Sequence, residues 1–349
     1  MRSEDNRLSY ISNWYLSDKS SNITKWQVPS GSVPPNGYTL VYFSKRDEVT
    51  PAGEIHASFG LSQTENDWII LTNDLGNVVD SFKIVHKTKM DHSVGRSTDG
   101  AVDFKLFTTP TPGSSNAGAQ DFYTPKPIFD LTPGFYVGGQ TLSITCADPS
   151  AQIRYTTNGF EPNASSPLYT APISINSTKV IRAIAFGANE PSFTETSSYF
   201  IDVTHTVPVV SVCGQEVMQL LLGNQITPVG GFELFEEDGS FIDEGEGDFN
   251  EHGNDSWAYD QRGFDFIMRD QYGYNGRINH PIFPNAPKPK HQRLILKAAA
   301  SDNYSFENGG AHIRDAFIHS LSQVGGLRLD ERSYEPCILY VNGEYWGVY

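Results

Sequence analysis

Cysteine is scarce in this chain. Its three thiols, Cys146, Cys213 and Cys337, are far apart in 349 residues, and none lies in a Cys-x-x-Cys pair. That spacing excludes a zinc knuckle or a thioredoxin-type site, and an odd count gives no disulfide framework. The three read as small buried hydrophobes. Secretion stays open, because a large core needs no disulfide staples. No run approaches 18 apolar residues, so no segment reads as a membrane span. Positive charge is also short: 25 Lys and Arg face 41 Asp and Glu, a net charge of −16. This balance excludes a nucleic-acid backbone or an anionic membrane as partner. Several catalytic signatures are missing: Gly-x-Ser-x-Gly, His-Glu-x-x-His and the Walker-type Gly-x-x-x-x-Gly-Lys do not occur. No catalytic residue and no metal ligand is therefore assigned. The opening Met-Arg-Ser-Glu-Asp-Asn is polar, so no signal peptide is read in this chain.

What is abundant points to β-structure. Gly 31, Pro 21 and aromatics at 12% favour short strands joined by turns, and the length suggests two to three domains. The expected fold class is mainly β, with two immunoglobulin-like β-sandwiches followed by a truncated α+β domain. The first segment spans residues 1–118 and closes on the Pro/Gly/Ser-rich stretch Thr108–Gly118. Within it, Asp67–Thr72 and Asn77–Phe82 flank Asn73-Asp-Leu-Gly76 as a hairpin. The second segment, 119–203, alternates with period two, and Ile181, Ala183 and Ala185 share one face of a strand. The third, 204–349, holds strands at Val207–Val212, Gly231–Phe235, Gly263–Met268 and Gln292–Lys297. A helix is expected over His312–Val324, with Ile313, Ala316, Phe317, Ser320 and Leu321 on one face and Gly325-Gly326 ending it.

The end of the chain carries a further expectation. Ile338–Val341 reads as a buried strand, Asn342-Gly343 as a hairpin turn, and Tyr345–Tyr349 as the return strand. Such a segment suits the middle of a domain, so the chain is expected to be cut from a larger molecule at this end.

Three resemblances follow from particular motifs. Asn13-Trp-Tyr-Leu-Ser-Asp18, Pro35-Asn-Gly-Tyr38, His56–Ser62, Ser93-Val-Gly-Arg96 and Thr109–Asn116 together resemble the bacterial extracellular lamin-tail domain. The resemblance implies an immunoglobulin-like sandwich, here short of its N-terminal strands. Pro133-Gly-Phe-Tyr136, Ile153–Gly159 with Glu161-Pro162, Ser166–Tyr169 and Lys179–Ala185 resemble the small sandwich at the C-terminus of chitobiases and β-hexosaminidases. That module implies a spacer or a sugar-facing surface without catalytic residues. His252–Trp257, Leu294–Ala298, Ile313-Arg-Asp315 and, above all, Val341–Tyr349 resemble the opening part of a CotH-type kinase domain.

The kinase resemblance implies a basic set that meets nucleotide phosphates, with metal-binding and catalytic acids downstream of Tyr349. The family's Arg-Gly-Asn reads His252-Gly253-Asn254 here, its paired lysines fall at Gln261 and Arg262, and the arginine opening its helix falls at Arg314. Arg262 and Arg314 are the cofactor-binding candidates. A neutral His in place of Arg loses a bidentate phosphate fork. Their bland reading is a solvated or helix-capping arginine. Asp238–Asp255 holds seven carboxylates in eighteen residues. It departs from a calcium loop at His252 and Tyr259, and reads as a solvated acidic loop, with a looser site at Asp243, Glu246 and Asp248 as the alternative.

The leading functional reading is a non-catalytic spacer or adhesion part of a secreted or surface-attached bacterial protein, presenting a CotH-like domain. It has no cofactor of its own, and its partners are extracellular or cell-surface proteins or a polysaccharide. One alternative is part of an extracellular Ser/Thr protein kinase whose intact parent uses ATP and Mg²⁺. The other is a glycan-binding module centred on the second sandwich. Tyr15, Trp26, Trp68 and Tyr123 read as sandwich-core aromatics before they read as sugar-stacking platforms.

Overall fold

A computed structural model describes residues 9–286, 288–302, 310–327 and 329–349. The chain divides into two compact units, Met1–Phe122 and Tyr123–Tyr349. The architecture is mainly β, with two α-helices among the described residues.

In the first unit, β1 (Tyr15–Ser17), β2 (Trp26–Gln27), β3 (Trp68–Thr72) and β4 (Val78–Lys83) form a sheet in the order β2-β1-β3-β4. The Asn73–Asn77 turn joins β3 to β4 as the expected hairpin, with a register shift between Leu71 and Thr72. Ile11, Leu16, Trp26, Val28, Val33, Ala57 and Phe59 form the core. Trp26 is thus a core aromatic, and its indole Nε1–H donates to Asp47 at 2.7 Å.

Two large sheets dominate the second unit. β5 (Gly134–Tyr136), β6 (Gln152–Thr156), β7 (Lys179–Phe186) and β8 (Glu195–Ile201) are ordered β5-β8-β7-β6, with β5 parallel to β8. Ile181 and Ala183 pack on Leu142, Ile144 and Ile175, as the alternation predicts. The opposite face of β7 is covered as well: Val180, Arg182 and Ile184 are buried. A strand covered on both faces belongs inside a larger body.

The covering layer is a seven-stranded sheet. Its members are β9 (Val209–Cys213), β10 (Val229–Phe235), β11 (Phe241–Glu251), β12 (Phe264–Met268), β13 (Arg293–Leu296), β14 (Ile338–Val341) and β15 (Glu344–Val348). They are ordered β13-β12-β11-β10-β9-β14-β15, and β9 runs parallel to β14 while the other pairs are antiparallel. Helix α1 (Gln215–Leu221), which sequence reading missed, sets Val217, Leu220 and Leu221 into the core of this sheet.

Two expectations need correction. Asp238–Asp255 is not a solvated loop, because β11 takes up Phe241–Glu251 between β10 and β12. With a period of two, Glu244, Glu246 and Asp248 share one face, and Phe249 enters the core from the other. Gly247 permits the close pairing, since a Cβ there would lie 2.1 Å from the Ile267 carbonyl oxygen. Second, α2 (Arg314–Val324) forms where a helix is expected, but its apolar face is not covered. Phe317 is 58% exposed and Leu321 55%.

The sandwich and the seven-stranded sheet meet through their turns. Asn158-Gly159 lies against Asn342-Gly343: a Cβ on Gly159 would sit 2.6 Å from Asn342 Oδ1, and one on Gly343 would sit 3.1 Å from Lys179 Cα. Both glycines have positive φ, 73° and 85°. Only glycine meets both conditions without strain.

Candidate functional site

Two arrangements in the second unit gather charged side chains, a buried seam and an open cavity. The seam lies where the outer face of β7 and β8 meets β10 and β11. Arg182, 1% exposed, projects from β7 into this layer. Its Nη2 lies 2.8 Å from Glu246 Oε1 and 2.5 Å from Glu161 Oε2, and its Nε donates to Thr196 Oγ1 at 3.1 Å. Glu233 stands opposite Glu244 across β10 and β11. Its carboxylate accepts from the Ser198 amide at 3.0 Å and from the Ser198 hydroxyl, which is itself 2.7 Å from Ser211 Oγ.

One guanidinium therefore bridges the buried Glu246 and the half-exposed Glu161. Burial pushes Glu233 up to about 7, against the opposing pull of the Ser198 hydrogen bonds. Burial, then the charges of Glu195 and Glu233, pushes Glu244 up to about 8. Glu246 is raised by burial, with Arg182 opposing. These values keep part of the layer protonated near neutrality, so the seam is a polar, partly neutral contact rather than a stack of bare anions.

The cavity, of about 610 Å³, opens between β13, the start of α2 and the segment before β14. Lys288, Arg293, Lys297, Arg314 and Arg332 line it, with Asp302, Asp315 and Glu335 as the acids. Within a chain of net charge −16 this is a locally cationic lining.

Most of these cations have carboxylate partners. Arg293 pairs with the buried Asp265, and Lys297 with Asp315. Arg314 Nη2 lies 3.1 Å from Asp302 Oδ1. Asp302 also accepts the amides of Ala311 at 2.9 Å and Arg314 at 2.8 Å, and these backbone hydrogen bonds hold its carboxyl below the usual range. A protein carboxylate thus occupies the N-terminus of α2, the position that attracts anions.

The remaining sequence candidates are placed as follows. His252 lines the cavity, and its Nδ1 lies 3.1 Å from Asp265 Oδ1. Burial lowers its pKa more than Asp265 raises it, so the ring is neutral at pH 7. A carboxylate only accepts, so Nδ1 carries the proton and Nε2 is left as an acceptor. Where the resembled family has an arginine, this chain presents an acceptor. Gln261 donates through Nε2 to the Val348 carbonyl at 2.8 Å. Arg262 is not among the residues lining the cavity. It donates to the carbonyls of Trp257, Leu221 and Asp260 at 3.2, 3.0 and 3.2 Å, and lies over the Trp257 ring. Of the two cofactor-binding candidates, the cavity holds Arg314 alone.

The alternative metal site on β11 is not assembled. Asp248 pairs with Arg269 at 2.7 Å, Glu246 with Arg182, and Asp243 accepts the Asn279 amide at 2.8 Å. Among the described residues, no group of three or more His, Cys, Asp or Glu side chains is placed to hold a metal ion. Sequence reading missed Arg182 and Glu233, and named Glu246 only as part of the alternative metal site. Their signal was a charged residue at a core-facing position of an otherwise apolar strand, as in Val180-Ile-Arg-Ala-Ile184 and Phe232-Glu-Leu-Phe235.

Comparison with known families agrees with two of the three resemblances. Residues 131–198 match the chitobiase/beta-hexosaminidase C-terminal domain, and residues 249–349 match CotH kinase protein. The chain therefore carries both a chitobiase/β-hexosaminidase C-terminal domain and a CotH-family segment. Comparison with curated proteins finds no match.

Proposed function

We propose that this chain is a non-catalytic presenting part of a secreted or surface-attached multimodular bacterial protein. Residues 1–118 act as a lamin-tail-like spacer, and the chitobiase-type sandwich holds the CotH segment in a fixed pose. The Arg182 seam carries this reading. A sandwich tethered only as a flexible bead has no use for a buried guanidinium bridging to Glu246 on the neighbouring sheet. The internal engagement of His252, Gln261, Arg262 and Arg314 adds support, because each position expected to meet phosphate is bonded within the protein. Among the described residues, no helix is long and apolar enough to cross a membrane. Scanning calorimetry of the whole chain tests the reading. The second unit should unfold in a single transition, and a separate melting of the chitobiase-type sandwich would defeat it.

One observation favours a second reading. The cationic lining of the 610 Å³ cavity suits the phosphates of a nucleotide, as part of an extracellular protein kinase that uses ATP and Mg²⁺. Titration calorimetry with ATP and Mg²⁺ separates the two. Saturable heat that Arg314→Ala abolishes supports the nucleotide reading, and no heat supports the presenting one.

A further inference from the structure

Asn-Gly occurs five times in this chain, at Asn36, Asn158, Asn275, Asn308 and Asn342. An asparagine carboxamide is attacked by the amide nitrogen that follows it, and glycine removes the side chain that would shield that nitrogen. Hydrogen bonding holds three of the five pairs in place. Asn158 Oδ1 accepts the Phe160 amide at 3.2 Å, and the Gly159 amide donates to the Val180 carbonyl at 3.1 Å. Both polar side-chain atoms of Asn342 are bonded to Gly214, at 2.8 and 3.2 Å. The Gly37 amide donates to the Pro34 carbonyl at 2.9 Å. Asn308-Gly309 lies outside the described residues.

Asn275-Gly276 differs from these. Asn275 is exposed, on a short stretch between the buried Tyr274 and Ile278. Among the described residues, neither its carboxamide nor the Gly276 amide has a hydrogen-bond partner. Gly276 is also uncrowded, since a Cβ there would meet Asp270 Cβ at an ordinary 3.6 Å. The neighbouring Tyr274 ties this stretch to the seam. Its hydroxyl donates to the Thr194 carbonyl at 3.0 Å, Lys126 Nζ lies 4.6 Å from its ring centre, and the charges of Glu244, Glu195 and Glu246 act on it.

We propose that Asn275-Gly276 is a self-modification site, where the folded chain slowly converts Asn275 to isoaspartate and aspartate and thereby loosens the seam beside Tyr274. The Gly276 nitrogen attacks Asn275 Cγ. A new N–Cγ bond forms, the Cγ–Nδ2 bond breaks, and Nδ2 departs as ammonia with the proton that the Gly276 nitrogen loses. Water then opens the cyclic imide at one of its two carbonyl carbons. Opening at Cγ leaves aspartate, and opening at the main-chain carbonyl leaves isoaspartate. Both products add a negative charge next to a layer already rich in carboxyls. Isoaspartate also lengthens the main chain by a methylene, between two buried side chains that fix the ends of the stretch.

The test incubates the full chain at pH 8.5 and 37 °C and follows each Asn-Gly peptide by mass spectrometry, with isoaspartate scored by enzymatic methylation. Conversion at Asn275 should outpace that at Asn36, Asn158 and Asn342 by roughly tenfold or more, because those three react only from locally opened states. In concentrated urea the differences should vanish. Gly276→Ala should slow conversion to a similar degree with the initial melting temperature unchanged, and Asn275→Gln serves as a second variant. Aged chain should melt below fresh chain, whereas aged Asn275→Gln should melt as it did at the start. Folded chain that converts Asn275 no faster than Asn158 or Asn342 would overturn the proposal. So would differences that persist in urea, equal conversion in folded Gly276→Ala, or full conversion at Asn275 with no change in melting temperature.

Discussion

Replacing Arg182 with methionine removes the only cation bonded to Glu246 among the described residues while keeping most of the side-chain volume. Glu246 is then a buried carboxylate bonded to no cation among the described residues, with Lys126 acting on it only at longer range. Breaking a buried pair from one side costs about 3–5 kcal/mol, because the partner keeps its desolvation penalty. Glu161 adds little, since it is half exposed and turns to water. Set against a typical stability of 5–15 kcal/mol, this is a large fraction. At about 2–4 °C per kcal/mol for a unit of this size, the midpoint of the second unit should fall by roughly 6–20 °C at pH 7.5. The loss should be smaller at pH 5 than at pH 7.5, because burial raises the Glu246 pKa and a protonated carboxyl has less need of the guanidinium. Arg182→Met with Glu246→Leu should recover most of the loss, as hydrophobic replacement of a buried pair often does. Scanning calorimetry at both pH values, with the double variant, provides the measurement. A loss under about 1 kcal/mol at pH 7.5 would refute the reasoning, as would a double variant no better than the single one.

The remaining expectations concern the same unit. Glu233 and Glu244 have folded pKa values of about 7 and about 8, above their ordinary 4.5. The folded state thus keeps protons that the unfolded chain releases, so their stabilisation is full below about pH 4.5 and is lost as pH rises through 7 and 8. Urea midpoints should therefore fall between pH 5 and 8.5, by an amount on the order of 3 kcal/mol for Glu233, and Glu233→Gln should flatten the profile. Gly159→Ala and Gly343→Ala should each destabilise the unit by about 2–4 kcal/mol, combining left-handed strain with overpacking, as thermal melts would show. Phe317→Ser and Leu321→Ser should change stability by no more than about 0.5 kcal/mol while reducing self-association in light scattering, because both side chains are exposed.

Several elements were legible because their signal is local. The β3–β4 hairpin and the β14–β15 hairpin follow from alternation around short turns, and of the face of β7 read as Ile181, Ala183 and Ala185, the first two join the sandwich core while Ala185 is buried beside them in sequence. β11 was misread because acidic composition hid its period of two. What makes it a strand is pairing with β10 and β12, which lie outside any local window. α1 is seven residues long and begins after Gly214, so its i, i+3, i+4 pattern was too short to stand out. The motif around His252, Leu294–Lys297 and Arg314 did point to one place, since the cavity collects all three. The seam was not legible. Arg182 and Glu246 are 64 positions apart, Ser198 and Glu233 are 35 apart, and nothing local pairs them.

The parallel pairing of β9 with β14 imposes an order of events during synthesis. Asn342 holds Gly214 through hydrogen bonds of 2.8 and 3.2 Å, although the two stand 128 positions apart. At about 5–20 residues per second, the ribosome needs roughly 6–26 s to supply the partner of β9. Throughout that interval the nascent sheet has an unprotected flank of Val209-Val-Ser-Val-Cys213, an adhesive template for any extended chain nearby. A cell making this protein must shield that flank or hurry the later strand into place, and aggregation during expression should track translation speed across residues 214–338.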